Sequence, residues 1–189
     1  MRFPRSSFAA LGALAALGAL AACGNSTGLP PAHIFNVIDT VSLYALDGTP
    51  VTAPSAYDVE ILRAVRTDLT TSYDFIFNID TAGRALLLPT GAVGLGKQSA
   101  ILPQSASFDA VTDAPTSGYA DSTATPIDSG TVAVIRSRPY SLCATGIVVF
   151  LYAKIEVLKI DRVARRLDFK ILVDLNCGYR ELSPGIPTR

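Results

Sequence analysis

The feature that most constrains the fold is an alternating segment close to the C-terminal end of the chain. Within residues 166–175, apolar side chains occupy every second position: Leu167, Phe169, Ile171, Val173 and Leu175. Successive side chains of a β-strand point to opposite faces, so this period places them on one face and mostly charged residues on the other. The segment predicts an antiparallel strand with one face in the core and one in solvent.

A partner for this strand precedes it directly along the chain. The extended segment 146–160 ends shortly before Arg166, which is typical of an antiparallel pair. Facing the exposed positions toward each other sets Ile160 opposite Arg166. The same register sets Glu156 opposite Lys170, which is a favourable cross-strand charge pair.

Shorter β-type segments with turn signals fill much of the remaining chain. Residues 37–46 are rich in β-branched and aromatic side chains, and an Asp-Gly-Thr-Pro turn at 47–50 follows, which predicts an opening β-hairpin. Residues 73–80 alternate as well, and a short turn leads into 85–88, which predicts a second hairpin. Residues 131–136 predict a further strand.

The remaining segments complete an all-β pattern. Residues 57–66 could form a helix capped by Ser55, but their alternation favours a strand. Residues 108–111 predict a short strand, whereas 89–104 and 112–130 are rich in Gly, Pro, Ser and Thr and predict long loops. Many short strands predict an all-β fold, either an antiparallel β-sandwich or a partly open barrel.

The N-terminal segment predicts export from the cytoplasm. Arg2 and Arg5 precede an apolar run at 8–22 that is built almost wholly from Ala, Leu and Gly. This pattern is typical of a secretory signal peptide, and the run is shorter than the ~20 apolar residues of a membrane-spanning helix. Residues 20–23 read Leu-Ala-Ala-Cys and resemble the lipobox of bacterial lipoproteins, whose cysteine receives a diacylglycerol and whose freed amine receives a third acyl chain.

The lipobox divides the chain into three regions. We expect a cleaved signal peptide over 1–22, a flexible tether over 23–33 that carries a lipid on Cys23, and a single all-β domain over 34–189. Gly24, where some lipoproteins have Asp, resembles the pattern of lipoproteins that are sent to the outer membrane. The chain is therefore expected in the bacterial cell envelope, as an outer-membrane lipoprotein.

Charge and cysteine content bound the partners and the covalent structure. Of 16 basic residues, two leave with the signal peptide, and the remaining 14 against 16 acidic residues give no basic excess for a nucleic-acid partner. Cys143 and Cys177 remain after Cys23 is acylated, and an oxidising compartment favours a disulfide between them. Such a bridge stabilises by about 3 to 4 kcal/mol. Two separately buried thiols are the alternative.

A glycine-rich segment at 91–97, Gly-Ala-Val-Gly-Leu-Gly-Lys, matches the core of a phosphate-binding loop. Such a loop needs Ser or Thr at the next position to hold Mg²⁺ and a helix that begins at the phosphates. Here Gln98 occupies that position, and Pro103 follows within six residues. We interpret the segment as a glycine loop without a nucleotide.

No residue set predicts catalysis or a metal site. His33 is the only histidine and lies in the predicted tether, so a Ser-His-Asp triad is not indicated. Asp109, Asp113, Asp121 and Asp128 are spaced too widely for a calcium-binding loop. We therefore expect a protein that is not an enzyme and that holds no metal ion.

One cluster is a weak candidate for ligand binding. Tyr140 follows Arg136 and Arg138 closely, and a phenol flanked by guanidinium groups suits a ligand carboxylate or propionate. The alternative is a loop whose arginines extend into solvent.

Several stretches line up with one known family. In order, they are Thr-Ser-Tyr-Asp-Phe-Ile-Phe at 71–77, Ser-Phe-Asp-Ala-Val-Thr-Asp-Ala-Pro at 107–115 with Gly-Tyr at 118–119, and Tyr-Ala-Lys-Ile-Glu-Val-Leu at 152–158. Together they resemble the HmuY-like haem-binding lipoproteins across most of 67–173. The resemblance implies an all-β lipoprotein of the outer membrane that binds haem.

This sequence departs from the family at residues that matter for haem. Tyr73 stands where the family usually has Trp, and the chain contains no Trp. The best-known members hold haem iron with histidine or methionine, whereas the mature chain keeps only His33 and no methionine. No family ligand carries over, so we expect no resident cofactor and keep haem as an alternative, with Tyr140 as a weak candidate ligand.

These observations lead to one expected function and one alternative. We expect a lipid-anchored envelope protein with a non-catalytic interaction or envelope-structural role, held to the membrane through Cys23 and partnered by another envelope protein. The alternative is HmuY-like binding of haem or another small apolar ligand.

Overall fold

A computed structural model describes residues 30–141, 143 and 148–188. The predicted signal peptide, Cys23 and the first part of the predicted tether lie outside these residues. Within them, nearly all regular structure is β-strand, in two antiparallel sheets of five strands that pack together. The predicted all-β class is confirmed, and the architecture is a β-sandwich. No helix in this part of the chain is long and apolar enough to cross a membrane.

Each sheet combines strands from both halves of the chain. The first contains β1 (Ile38–Tyr44), β6 (Ala100–Gln104), β8 (Val132–Tyr140), β9 (Val149–Asp161) and β10 (Arg166–Asp174). The second contains β2 (Ala56–Asp58), β3 (Arg63–Val65), β4 (Phe75–Ile79), β5 (Ala85–Pro89) and β7 (Thr125–Pro126). The strand orders are β1-β10-β9-β8-β6 and β3-β2-β4-β5-β7, so β1 and β3 are edge strands, and they contact each other.

The predicted pairing of β9 with β10 is confirmed over most of its length. Glu156 lies opposite Lys170, and Nζ of Lys170 is 2.7 Å from a carboxylate oxygen of Glu156. The register shifts by one residue near the hairpin, where Ile160 faces Leu167 instead of Arg166. A β-bulge at Leu158, the exposed residue that the pairing skips, causes this difference.

The predicted opening hairpin is wrong. β1 pairs with β10, with Ile38 opposite Leu172, while β2 belongs to the other sheet. The connection between β1 and β2 contains Pro50 and Pro54, which have no N–H for a strand ladder. The chain therefore crosses between the sheets, and the carbonyl of Pro54 accepts a hydrogen bond from the N–H of Tyr44 at 2.9 Å.

The other segment predictions have mixed outcomes. The second hairpin is confirmed as β4 and β5. The region predicted as one strand over 57–66 forms no helix but two short strands, β2 and β3, with a turn between them. A tight turn joins these two strands, with Leu62 in a left-handed conformation at φ 54°. The short strand predicted at 108–111 is instead a turn, and part of the loop predicted at 89–104 forms β6.

The interior of the sandwich is aromatic at its centre. Tyr57 stacks on Phe75 with ring centroids 5.6 Å apart, and Phe169 meets both rings edge-on. All three side chains are almost completely buried. Phe169 lies on the face that the alternation of β10 assigned to the core, so that part of the prediction is confirmed.

The outer face of the first sheet is partly covered, which the alternation did not predict. Residues 105–120 and the C-terminal segment fold over it and bury Phe108, Leu172 and Leu182 in a second apolar cluster. The solvent-facing prediction for β10 therefore fails at Leu172 and at Asp174, both of which are fully buried. Beside it, Lys154 is buried and donates hydrogen bonds to the carbonyls of Phe108 at 2.7 Å and Val111 at 2.9 Å. Burial lowers the pKa of this lysine.

The predicted disulfide is confirmed. Cys143 and Cys177 are bonded, with their Cα atoms 5.8 Å apart and a sequence separation of 34. The bridge joins the connection between β8 and β9 to the segment that follows β10. It thereby closes the end of the sandwich at which β10 finishes.

Candidate functional site

The three predicted ligand-binding residues lie on β8 in different surroundings. The register of β8 shifts between Arg136 and Pro139, so Arg136 and Arg138 face opposite sides of the sheet. Tyr140 is partly buried against the interior cluster. The phenol flanked by two guanidinium groups that the sequence indicated is therefore not assembled on this strand.

Arg136 lies on the outer side among aromatic rings. Its guanidinium carbon is 4.6 Å from the ring centroid of Phe150 and 5.6 Å from that of Tyr119, which are cation–π distances. Arg180 makes a similar contact with Tyr152 at 4.3 Å and hydrogen-bonds its hydroxyl. These two arginines hold the 105–120 segment against the outer face of the first sheet.

Arg138 lies on the inner side, within a group of carboxylates from the second sheet. Its Nη2 is 3.0 Å from Asp58 and 3.4 Å from Glu60, and its Nε is 3.3 Å from Asp74. Asp74 is fully buried and also accepts hydrogen bonds from the backbone N–H groups of Arg138 and Val59. Burial raises the pKa of Asp74, whereas the Arg138 guanidinium and these hydrogen bonds oppose the rise.

This network has a structural role that explains part of the sequence pattern. It joins β8 of the first sheet to β2 and to the start of β4 in the second. Asp74 is the acidic residue of the Tyr-Asp pair in the 71–77 stretch. It lies at the junction of the two sheets, where Arg138 pairs with it, and this explains why the stretch contains a buried carboxylate. Because Arg138 already faces three carboxylates, it is not available to an anionic ligand.

The glycine-rich segment folds as a tight loop that satisfies its own polar groups. Thr90–Val93 forms one turn of 3-10 helix, and Gly94 follows in a left-handed conformation. The hydroxyl of Thr90 accepts hydrogen bonds from the N–H groups of Gln98 and Ser99 at 3.1 and 3.0 Å. A side chain at Gly91 would collide with the carbonyl of Asp121, so close packing requires a glycine at this position.

The N-terminal end of the described chain is held against the segment after β10. The side chain of Asn176 accepts hydrogen bonds from the N–H groups of His33 at 2.9 Å and Ile34 at 3.0 Å. The hydroxyl of Tyr179 donates to the carbonyl of Pro30 at 3.2 Å. Among the described residues, contact with the domain is thus already present at Pro30, four residues before the predicted domain boundary, and the His33 side chain is at the surface.

Asn176 is itself positioned by a buried carboxylate, Asp174. One carboxylate oxygen of Asp174 accepts two hydrogen bonds from Asn176, at 2.8 and 2.9 Å. The other has no hydrogen-bond partner among the described residues. Burial raises the pKa of Asp174 to about 6, while the hydrogen bonds from Asn176 oppose the rise and Glu181 adds to it.

This raised pKa predicts a pH dependence of stability. Because the folded state holds the Asp174 proton more tightly than the unfolded chain does, Asp174 contributes stability below about pH 4 that is lost as the pH rises to about 6. We expect the stability difference between wild type and Asp174→Asn to change by about 2 to 3 kcal/mol between pH 4 and pH 7, in favour of the variant. Urea unfolding at both pH values measures it, and parallel pH profiles would contradict the assignment.

A groove opens at the edge where β1 and β3 meet. It encloses about 250 Å³, and Asp39 is the only charged residue in its lining. Phe35 and Val37 stand at its mouth with 65 and 66 % of their surface exposed. Ile171 and Val173 form its floor and also belong to the interior cluster, so the groove reaches into the core of the sandwich.

A second apolar depression adjoins this groove across the β2–β3 turn. Leu62 lines the first groove, while its neighbour Ile61 lines the second, together with Leu69 and, at the rim, Arg63. The exposed apolar side chains that line one or the other depression have solvent accessibilities of 43 to 71 %. We call this set the apolar edge surface; it consists of Phe35, Val37, Ile38, Ile61, Leu62 and Leu69.

Tyr57 supplies a polar group to the groove. Its ring is buried between the sheets and also lines the cavity. Burial raises the pKa of its phenol, and the carboxylates of Asp39 and Asp58 raise it further. The phenol is therefore protonated at neutral pH and can donate a hydrogen bond to a ligand or a partner.

Sequence reasoning missed the apolar edge surface. Phe35 and Val37 lie at the start of the predicted domain without a predicted role, and Ile61 and Leu62 lie within a predicted strand. The usable signal is the apolar pair Ile61-Leu62 between two short strands. Turns are normally polar, so an apolar turn tip indicates a contact outside the domain.

The fold and the edge surface together define a β-sandwich domain with an apolar groove at one edge. In the described part of the chain, no group of three or more His, Cys, Asp or Glu side chains is placed to hold a metal ion. No protein-family model matches the sequence, and no curated protein matches it.

Proposed function

We propose that this protein is a lipid-anchored protein of the bacterial outer membrane whose domain has a non-catalytic interaction role. The apolar edge surface is the observation that supports an interaction role. Single exposed apolar residues are normal on soluble proteins, whereas a contiguous group marks a contact site. The lipobox at Cys23 supports the anchor.

The position of the surface also supports this function. Phe35 and Val37 follow directly after Pro30–Ile34, the segment that Asn176 and Tyr179 hold against the domain. The interaction site therefore lies where the predicted tether enters the domain. A partner at this site would meet the domain on its membrane-proximal side.

A second candidate function is the binding of a small apolar ligand. The groove has a buried apolar floor and one phenol that can donate a hydrogen bond, and this mixture is typical of ligand sites. Its volume of about 250 Å³ suits a ligand smaller than most drug-like molecules.

Haem does not fit this groove. Its lining contains no histidine, methionine or cysteine, and its one phenol is Tyr57. A phenol ligates haem iron as a phenolate, which the raised pKa of Tyr57 disfavours. Tyr140 packs against the interior cluster instead.

Photo-cross-linking in living cells tests the interaction role. A benzophenone amino acid is introduced at Leu62 in the edge surface and, as a control, at Val163, which is 97 % exposed in the turn between β9 and β10. We expect adducts with a protein or a lipid at position 62 and none at position 163. Equal absence of adducts at both positions would contradict an interaction through this surface.

A further inference from the structure

We propose that the apolar edge surface rests on the lipid bilayer that carries the anchor. This inference depends on the proposed lipid anchoring and names the partner of the same surface. The domain would then lie on the membrane in one orientation, instead of moving freely on its tether.

The point at which the chain enters the domain supports this placement. Cys23 is seven residues before Pro30, and seven residues span at most about 25 Å. The hydroxyl of Tyr179 holds Pro30 and the side chain of Asn176 holds His33 and Ile34, and the groove lining begins at Ile34 and Phe35. A lipid on Cys23 therefore keeps this edge of the sandwich within a short distance of the bilayer.

The chemistry of the surface suits the membrane interface. Interfacial segments combine aliphatic and aromatic side chains, which enter the acyl boundary, with basic side chains that stay among the headgroups. Phe35 and Leu69 are 65 and 71 % exposed, and Arg63, which lines the second depression with Leu69, is exposed as well. If the domain did not contact the membrane, the apolar side chains of the edge surface would be exposed to water.

The opposite end of the sandwich provides a matched control. β1 pairs with β10 so that Ile38 faces Leu172 at one end and Tyr44 faces Arg166 at the other, about 20 Å away along the strand. The turn after β9 lies at this far end and carries Val163, which is the most exposed large apolar residue in the part of the chain that the structure describes. Val163 matches Phe35 and Leu62 in chemistry but lies at the other end of β1 from the groove that they line.

Tryptophan fluorescence tests the proposal, because the chain has no natural Trp. Phe35→Trp, Leu62→Trp and Val163→Trp are made in the full-length acylated protein and reconstituted into phosphatidylethanolamine–phosphatidylglycerol vesicles, with and without brominated lipid. We expect a blue-shifted emission and about twofold quenching for Phe35→Trp and Leu62→Trp, and neither for Val163→Trp. All three positions are exposed, so we expect the substitutions to be tolerated. Unfolding midpoints equal to that of the wild type confirm that the variants fold.

Other occupants give different results. If the two edge tryptophans are quenched no more than the control, the bilayer proposal is overturned. A blue shift without quenching would show that a second copy or a small apolar ligand covers the surface, which also overturns it. Protein adducts at position 62 in cells together with unquenched fluorescence would leave the proposed interaction role intact and reject only the bilayer as partner.

Discussion

Arg138→Met is expected to destabilise the domain by about 3 to 5 kcal/mol, because it leaves buried carboxylates without their cation. Asp74 is fully buried and Asp58 nearly so, and both face the Arg138 guanidinium. Urea unfolding at pH 7 measures the loss. Arg162→Met is the control, since its partner Asp128 is exposed, and such a pair contributes less than about 1 kcal/mol.

The pH dependence of the Arg138 variant separates lost charge pairing from lost packing. Without the guanidinium, the pKa of Asp74 rises further, so the variant retains stability at low pH and loses it as the pH rises. The difference in unfolding free energy between wild type and Arg138→Met should therefore become smaller as the pH is lowered from 7 to 4. A difference in unfolding free energy that stays constant with pH would assign the loss to packing instead of charge pairing. A loss below about 1 kcal/mol at pH 7 would show that the network is not a major stabilising feature.

Removal of the disulfide is expected to have the second large effect. In the chain-entropy estimate, a closed loop of this length, 34 residues apart in sequence, stabilises by about 4 kcal/mol. The Cys143→Ala/Cys177→Ala double variant should lose about 2 to 5 kcal/mol in urea unfolding. Alanine is preferred to serine because Cys143 is buried.

Reduction of the wild-type protein is the matched control for the disulfide. Dithiothreitol should lower the wild-type unfolding midpoint toward that of the double variant and leave the variant unchanged. An unchanged wild-type midpoint would mean that the bridge does not form in the exported protein.

Local pattern predicted the strands whose pairing is close in sequence. The alternation of 166–175 and the complementary charges of Glu156 and Lys170 were enough to find the β9–β10 register, because a one-residue slip would reverse both faces. The bulge at Leu158 has no comparable signature. The strand pairing could therefore be predicted from the sequence, whereas the bulge that shifts its register could not.

Long-range features could not be read from local pattern. The turn at 47–50 looks like a hairpin, yet β1 pairs with a strand more than 100 residues away. Leu172 appears misplaced on a polar face until the 105–120 segment is seen to cover it. Local periodicity reports that a face is buried, but not which distant segment buries it.

The candidate site escaped prediction for the same reason. The apolar edge surface combines residues near 35 with residues near 62 and 69, which only the sandwich brings to one edge. Conversely, Arg136 and Arg138 look like one cluster in sequence, but a register shift sends them to opposite faces. Spacing along a strand predicts shared faces only where the strand is regular.

Acylation of Cys23 is the central claim, since every proposed contact with the membrane depends on it. Two or more acyl chains give stable attachment where one barely does. Cells that express wild type or Cys23→Ser are labelled with palmitate and fractionated. We expect labelled wild-type protein in the membrane fraction and, for Cys23→Ser, unlabelled precursor that retains its signal peptide. Normal palmitate labelling of Cys23→Ser would contradict the account.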